Sequence, residues 1–210
     1  MRYTNSGQAT LNLTASVAFG CSASVSKDVT IWPLPSIQNV PEIVMPLGFE
    51  TTLPITYSDN INQYTWSPGD ALSCTNCPTP VANPKFTTNY RVSVVDANGC
   101  RATSNIVVRV ICENRNYFIP NTFSPNNDGQ NDVFYPRGRS LDRIQSMRIF
   151  NRWGEMVFER KNFAPNAASE GWNGMIRGQQ AASDAYVYII EVICENGQVV
   201  ALKGNVTLIR

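Results

Sequence analysis

Side chains able to carry chemistry are concentrated in one loop, Phe118 to Pro136, which reads FIPNTFSPNNDGQNDVFYP. Within it Asn126, Asp128, Gln130 and Asp132 offer side-chain oxygens at every second position around a bend at Gly129. Two chemistries fit that spacing. Calcium loops alternate oxygen ligands about a glycine in this way, although only two of the four are carboxylates here and Arg137 stands where an EF-hand places its last Glu. The same residues also suit a self-stabilised turn, because Asx side chains bond to backbone N–H groups two residues on and tolerate left-handed geometry, while Pro120 and Pro125 narrow the alternatives. Both readings stand on the sequence alone, and calcium is the one cofactor it suggests. Asp128 and Asp132 as an acid/base pair is set aside, since nothing nearby supplies a shaped pocket or a means of separating their pKa values.

Six cysteines (21, 74, 77, 100, 112 and 194) form the second reactive set, and there is no histidine. That removes the usual general base and the usual zinc ligand sets. Cys74 and Cys77 make a CxxC, but a four-thiolate site needs a second such pair, and the following PTPVANP does not open the helix a thioredoxin-like site requires. Disulfides formed in an oxidising compartment fit better, and they predict an exported chain whose leader lies outside these residues. Neither a nucleophile elbow nor a metal-ligand set is present, so an enzyme is not expected.

The elements that must position these residues read as strands. A length of 210 residues suits one large or two smaller domains. With 17 Lys+Arg against 16 Asp+Glu, no broad field steers nucleic acid or an anionic membrane. No apolar run reaches the roughly 18 residues needed to span a bilayer. The start, Met1-Arg2-Tyr3-Thr4, does not read as a signal peptide, because the apolar residues of TLNLTASVAF alternate with polar ones. Alternation also runs through NYRVSVVDANGC and IVVRV, with Asn98-Gly99 as a hairpin turn, and again through YVYIIEVICENGQVVALKGNVTLI, with its turn at Asn196-Gly197. The fold class predicted is all-β, built from tandem sandwiches.

An internal repeat sets the organisation. NLTASVAFGCSASVSKDVTI can be laid on NYRVSVVDANGCRATSNIVVRV so that Gly20-Cys21 meets Gly99-Cys100 and Val29 meets Val108. Residues 1–35 then form the last hairpin of one module plus the stiff linker WPLPSI, 36–112 a complete module, and 113–210 a terminal domain.

The middle stretch, YTWSPGDALSCTNCPTPVANPKFTTNYRVSVVDANGC, resembles the Ig-like, PKD-type repeats of long bacterial surface proteins. That resemblance puts Trp66 on a core strand rather than on a sugar-stacking surface and lets Cys74 and Cys77 staple a loop. It leaves Cys100 free, or paired with Cys21 or Cys74. The final hundred residues carry four ordered blocks, IPNTFSPNNDGQNDVFYPRG, MRIFNRWGEMVFER, GWNGMIRGQ and DAYVYIIEVICENGQVVALKGNVTLIR. Together they resemble the gliding motility-associated C-terminal domain, the type B signal of the type IX secretion system of Bacteroidetes. Departures are small: Asn127 where Gly is frequent, Asn173 where GWDG is usual, and SDAYVY in place of a Pro-Gly entry.

The resemblance implies several things. The domain is gripped by the type IX translocon or an outer-membrane shuttle in the periplasm, and the chain ends on the cell surface as part of a gliding-motility adhesin. Its last strand, Lys203 to Arg210, is the expected contact, by β-addition through Lys203 and Asn205, with Leu202, Val206 and Leu208 filling alternate pockets and Arg210 at the end. Whether that strand is instead internal to the sandwich stays open. Cys112 and Cys194 are expected to be bridged, locking the start of the domain to its penultimate strand. In the MRIFNRWGEMVFER hairpin, Phe150 and Phe158 are expected in the core, while Trp153 is either core or part of a recognition patch. The alternative function is a carbohydrate-binding module of a secreted hydrolase, with Trp172 as its sugar platform and glycans as possible partners through the upstream modules.

Overall fold

The structure, a computed structural model, describes residues 5–210. Met1 to Thr4, on which the signal-peptide reading falls, lie outside the described residues. Strands dominate, as the alternation predicts. Up to the middle of the chain they are β1 (Gly7–Ser16), β2 (Ser22–Ile31), β3 (Ile37–Asn39), β4 (Glu42–Pro46), β5 (Thr51–Thr52), β6 (Ile55–Tyr57), β7 (Ile61–Ser67), β8 (Val81–Ala82), β9 (Thr88–Asp96) and β10 (Arg101–Ile111). Beyond it come β11 (Tyr117–Phe118), β12 (Thr122–Phe123), β13 (Arg137–Gly138), β14 (Leu141–Phe150) and β15 (Met156–Phe163). A 3-10 turn at Ala168–Glu170 precedes β16 (Met175–Ile176), β17 (Gln179–Gln180), β18 (Ala185–Cys194) and β19 (Val199–Leu208).

The chain divides into two compact units. One holds the residues up to Pro41, Thr52–Val81 and Asn89–Val107; the other holds Glu42–Thr51, Ala82–Thr88 and Val108–Arg210.

In the first unit, β7 and β9 pair antiparallel with Trp66 opposite Val92. Period-two alternation sends Tyr90, Val92 and Val94 inward with Trp66, Leu53 and Ile55, and all six are buried. Trp66 is therefore a core residue, and its Nε1 donates to the Cys77 carbonyl at 3.0 Å, inside the loop closed by the Cys74–Cys77 disulfide. The turn after β9 is closed by Asp96 N–H to Cys100 O (3.0 Å) and Gly99 N–H to Asp96 O (3.1 Å). The turn between β1 and β2 repeats it: Val17 N–H to Cys21 O at 3.0 Å and Gly20 N–H to Val17 O at 3.1 Å. Gly20 and Gly99 sit at φ 87° and 84°, which a residue with a Cβ adopts only at a cost. The repeat read from sequence thus has the same hairpin geometry at both copies. Cys21 and Cys100 are free thiols, and Cys74 is taken by Cys77.

In the second unit a five-stranded sheet has the order β12-β19-β18-β14-β15. Its inner face carries Ile144, Met147, Ile149, Ile190, Val192, Val206 and Leu208, all fully buried. Short ribbons and loops make the covering layer, anchored where Phe134 and Trp172 exchange backbone hydrogen bonds at 2.8 and 2.9 Å. Trp172 packs edge-on against Tyr186 with ring centroids 4.8 Å apart, and 5.2 Å from Phe123. A Cβ on the neighbouring Gly171 would meet the Phe134 carbonyl at 2.6 Å, so only glycine fits there. This corrects the alternative that made Trp172 a sugar platform: it is completely buried, packed against Phe123 and Tyr186.

Cys112 and Cys194 are bridged, 82 residues apart, and both are buried. Closing a loop of that length stabilises by about 4 to 5 kcal/mol on chain-entropy estimates, and by about 2 to 4 in typical cases. Beside the bridge, buried Asn116 donates from Nδ2 to the Leu47 carbonyl at 2.7 Å, while its Oδ1 accepts the Glu113 N–H at 3.1 Å. Leu47 is itself 1% exposed, so the Glu42–Thr51 stretch is part of this unit's core.

Candidate partner-binding edge

β19 is paired to β18 along its length, from Ala185↔Thr207 to Ile193↔Val199. On its other side β12 pairs only at its end, through Thr122↔Thr207 and Phe123↔Leu208. Strand parity then decides where each backbone group points. Leu208 N–H donates toward the β18 side, to Asp184 O at 3.0 Å; Thr207 and Ile209 donate toward β12, to Asn121 O at 2.8 Å and Phe123 O at 3.1 Å. With no register shift along the pair, Ala201, Lys203 and Asn205 send their N–H and C=O the same way as Thr207, outward. Among the described residues no strand pairs with that edge before Thr207.

The predicted contact residues separate accordingly. Lys203 and Asn205 are exposed on the open edge. Val206 and Leu208 are fully buried and Leu202 is half-buried, so these side chains fill the domain's own core instead of a partner's pockets. They do so because even-numbered residues of β19 face the aromatic layer. Arg210 is exposed, but its guanidinium is held by its own domain, donating from Nη1 to the Ala181 carbonyl and from Nη2 to Gly174 O at 3.2 Å. Sequence reasoning missed Gly204. A Cβ there would collide with the Tyr188 phenol, which lies across β19 from the adjacent strand.

At the far side of the sheet, β15 is the opposite edge. Its Glu159, Arg160 and Lys161 are exposed and ion-paired, Arg160 to Glu170 at 2.9 Å and Lys161 to Glu159 at 3.0 Å. Phe150 and Phe158 are half-buried, not core: Phe158 lies on the edge strand β15, which is covered on one flank only, and Phe150 is the last residue of β14, beside the hairpin turn. Trp153 is 75% exposed at the tip of the β14–β15 hairpin, with the Arg152 guanidinium 4.3 Å above its ring. Asn151 fixes that tip, its Oδ1 accepting the Trp153 and Glu155 N–H groups at 3.1 and 3.0 Å.

The Asn/Asp loop resolves into interlocked turns. Asp132 accepts three backbone N–H groups: Asn126 at 3.0 Å and Asn127 at 2.6 Å on Oδ1, and Gly129 at 2.8 Å on Oδ2. Asn126 Oδ1 accepts the Asp128 N–H, and Asp128 accepts the Gln130 N–H at 2.7 Å and the Asn126 amide at 2.9 Å. The Asn126 amide, then the Gln130 N–H, hold the Asp128 carboxyl below its ordinary range. Gln130 is exposed. Calcium needs six to eight oxygen ligands. Here the carboxylate oxygens face N–H groups of their own loop, and no cluster of three acidic, Cys or His residues is found among the described residues. As arranged, these side chains form a self-stabilised turn.

Residues 117–208 match CHU_C, the Type IX secretion signal domain. Among solved structures, the chain is similar to a Bacteroides ovatus mixed-linkage glucan utilization locus protein, SGBP-B, in complex with a mixed-linkage heptasaccharide (16% identity, 99% of this chain, 55% of that one, TM-score 0.29). It thus spans about half of that protein's length. It is also similar to titin domains z1z2 in complex with telethonin (10% identity, 84% of this chain, 96% of that one, TM-score 0.37) and to DIP-gamma IG1+IG2 (15%, 84%, 97%, 0.33). No curated protein matches the chain.

Proposed function

Residues 117–208 belonging to the type IX secretion signal domains, we propose that this part of the chain is a folded export signal, gripped by the secretion machinery along the open edge of β19. A signal recognised after folding has to present a feature that survives folding. Unpaired backbone groups in a row are such a feature, since an added strand gains main-chain hydrogen bonds whatever its sequence. The observation that carries the reading is the outward set Ala201, Lys203 and Asn205, beside which β12 stops short. The chain it tows is a surface protein, and an adhesin of gliding motility is the reading the family resemblance favours.

The test is export of a fluorescent reporter fused to residues 36–210, in a host with and without the type IX machinery. The longer fusion keeps Cys112 and the Leu47 stretch that complete the unit. Surface fluorescence that depends on the machinery supports the reading. A reporter left in the periplasm of the competent host, with the fused domain folded, rejects it.

A further inference from the structure

Two tryptophans are buried and two are exposed, and the second exposed one, Trp32, stands in a cleft that the signal domain does not involve. Three segments of the first unit form it: the linker after β2, the bend between β6 and β7, and the turn between β9 and β10. Its volume is ≈ 370 Å³. Trp32 (53% exposed), Leu34 (74%), Asp59, Asn60, Asp96 and Asn98 line it.

Backbone bonds hold the walls in place. Ser58 N–H donates to Ser36 O at 3.0 Å and Ser36 N–H returns to Ser58 Oγ at 3.1 Å, tying the linker to the bend. Ala97 N–H donates to Asn60 O at 3.0 Å, tying the bend to the turn. Asp96 is oriented by the Asn98 and Cys100 N–H groups, both 2.8 Å from Oδ1, which leaves Oδ2 as an acceptor. Pro33 and Pro35 limit the linker's freedom, so the indole is presented from a stiff support.

We propose that this cleft binds a neutral carbohydrate, with Trp32 stacking on a sugar ring and the Asp and Asn side chains bonding to its hydroxyls. An exposed indole in one cleft with a small set of polar groups is what a ligand with one apolar face and a hydroxylated rim requires. Carboxylates accept and amides both donate and accept, so the pair of types satisfies hydroxyls in either role. Among the described residues none that lines the cleft is basic, which disfavours an anionic glycan or a phosphate. A cationic peptide is the competing ligand, since an indole and two carboxylates also attract a lysine. Two amides and a single aromatic wall suit a sugar better than a cation. The inference is independent of the export reading, because it concerns other residues in the other unit.

Affinity electrophoresis of the whole chain through gels containing a β-glucan, a mannan or a starch tests it, with a lysine-rich peptide as competitor. Retardation by at least one polysaccharide is expected, weakened about thirtyfold or more by Trp32→Ala, the size of an interface hot spot, and unchanged by Trp153→Ala. Asp59→Asn, at an exposed side chain, is expected to weaken it about tenfold with the melting temperature unchanged. Should Trp32→Ala melt early, Asp59→Asn decides alone. The proposal is overturned if none of the three polysaccharides retards the chain, if Trp32→Ala binds as well as wild type, or if only the peptide binds and Trp32→Ala abolishes that.

Discussion

The two rims of the five-stranded sheet present the same backbone chemistry and opposite treatments of it. Along β15 three consecutive charged residues, Glu159, Arg160 and Lys161, line the free edge, and all three are ion-paired. Along β19 the residues from Val199 to Val206 carry one charge, Lys203. Charges on an edge strand discourage a second chain from adding to it; their near absence leaves a template. A domain that simply avoided aggregation would guard both rims. Guarding one and not the other is what the proposed grip on β19 calls for.

The comparison can be broken in several ways, and the largest effect is expected at the disulfide. Cys112→Ala with Cys194→Ala is expected to lower stability by about 2 to 4 kcal/mol in urea unfolding. Because Cys194 ends β18, amide exchange should quicken more in β19 than in β15; equal quickening would show that the bridge does not support the open rim. Next, Lys203→Pro removes one outward N–H and no bond to β18, so it is expected to cut export about tenfold while changing stability by less than ~1 kcal/mol. Export unaffected by that substitution would move the contact off this edge. It also separates recognition from folding, which deleting the last eight residues cannot do, because Val206 and Leu208 are core.

On the guarded rim, Arg160→Ala breaks a part-exposed ion pair and is expected to cost about 0 to 1 kcal/mol with export unchanged. A loss of export there would erase the contrast between the rims. The smallest effect is local to the Asn/Asp loop. The folded Asp128 carboxyl titrates below its unfolded value, so its contribution is present above about pH 4 and is lost as the pH falls through the lower folded value. NMR shifts of the Gln130 amide should follow that titration while β19 amides stay fixed; movement of the whole sheet would tie the loop to global stability.

Much of this was legible in residue patterns because it is local. Asn98-Gly99 and Asn196-Gly197 turn hairpins where their types say they should, and Trp66 is inside as the resemblance of its stretch to Ig-like repeats implies. What the sequence hid depends on contacts between distant segments. GWNG gives no sign that Trp172 lies under Phe123 and Tyr186, and β19's alternation leaves undecided which set of side chains faces inward until the aromatic layer is in place. The inclusion of Leu47 in the second unit's core rests on Asn116, a polar residue that periodicity arguments pass over. Phe158 reads as core by type, but its strand lies at the rim.

The bridge between Cys112 and Cys194 has a mechanical consequence. Tension arriving from the upstream modules reaches Cys112 and crosses the sulfur link to the end of β18, so the residues from 113 to 193 are bypassed. With the proposed grip on β19, load then reaches that strand through its pairing with β18 and not through the aromatic layer.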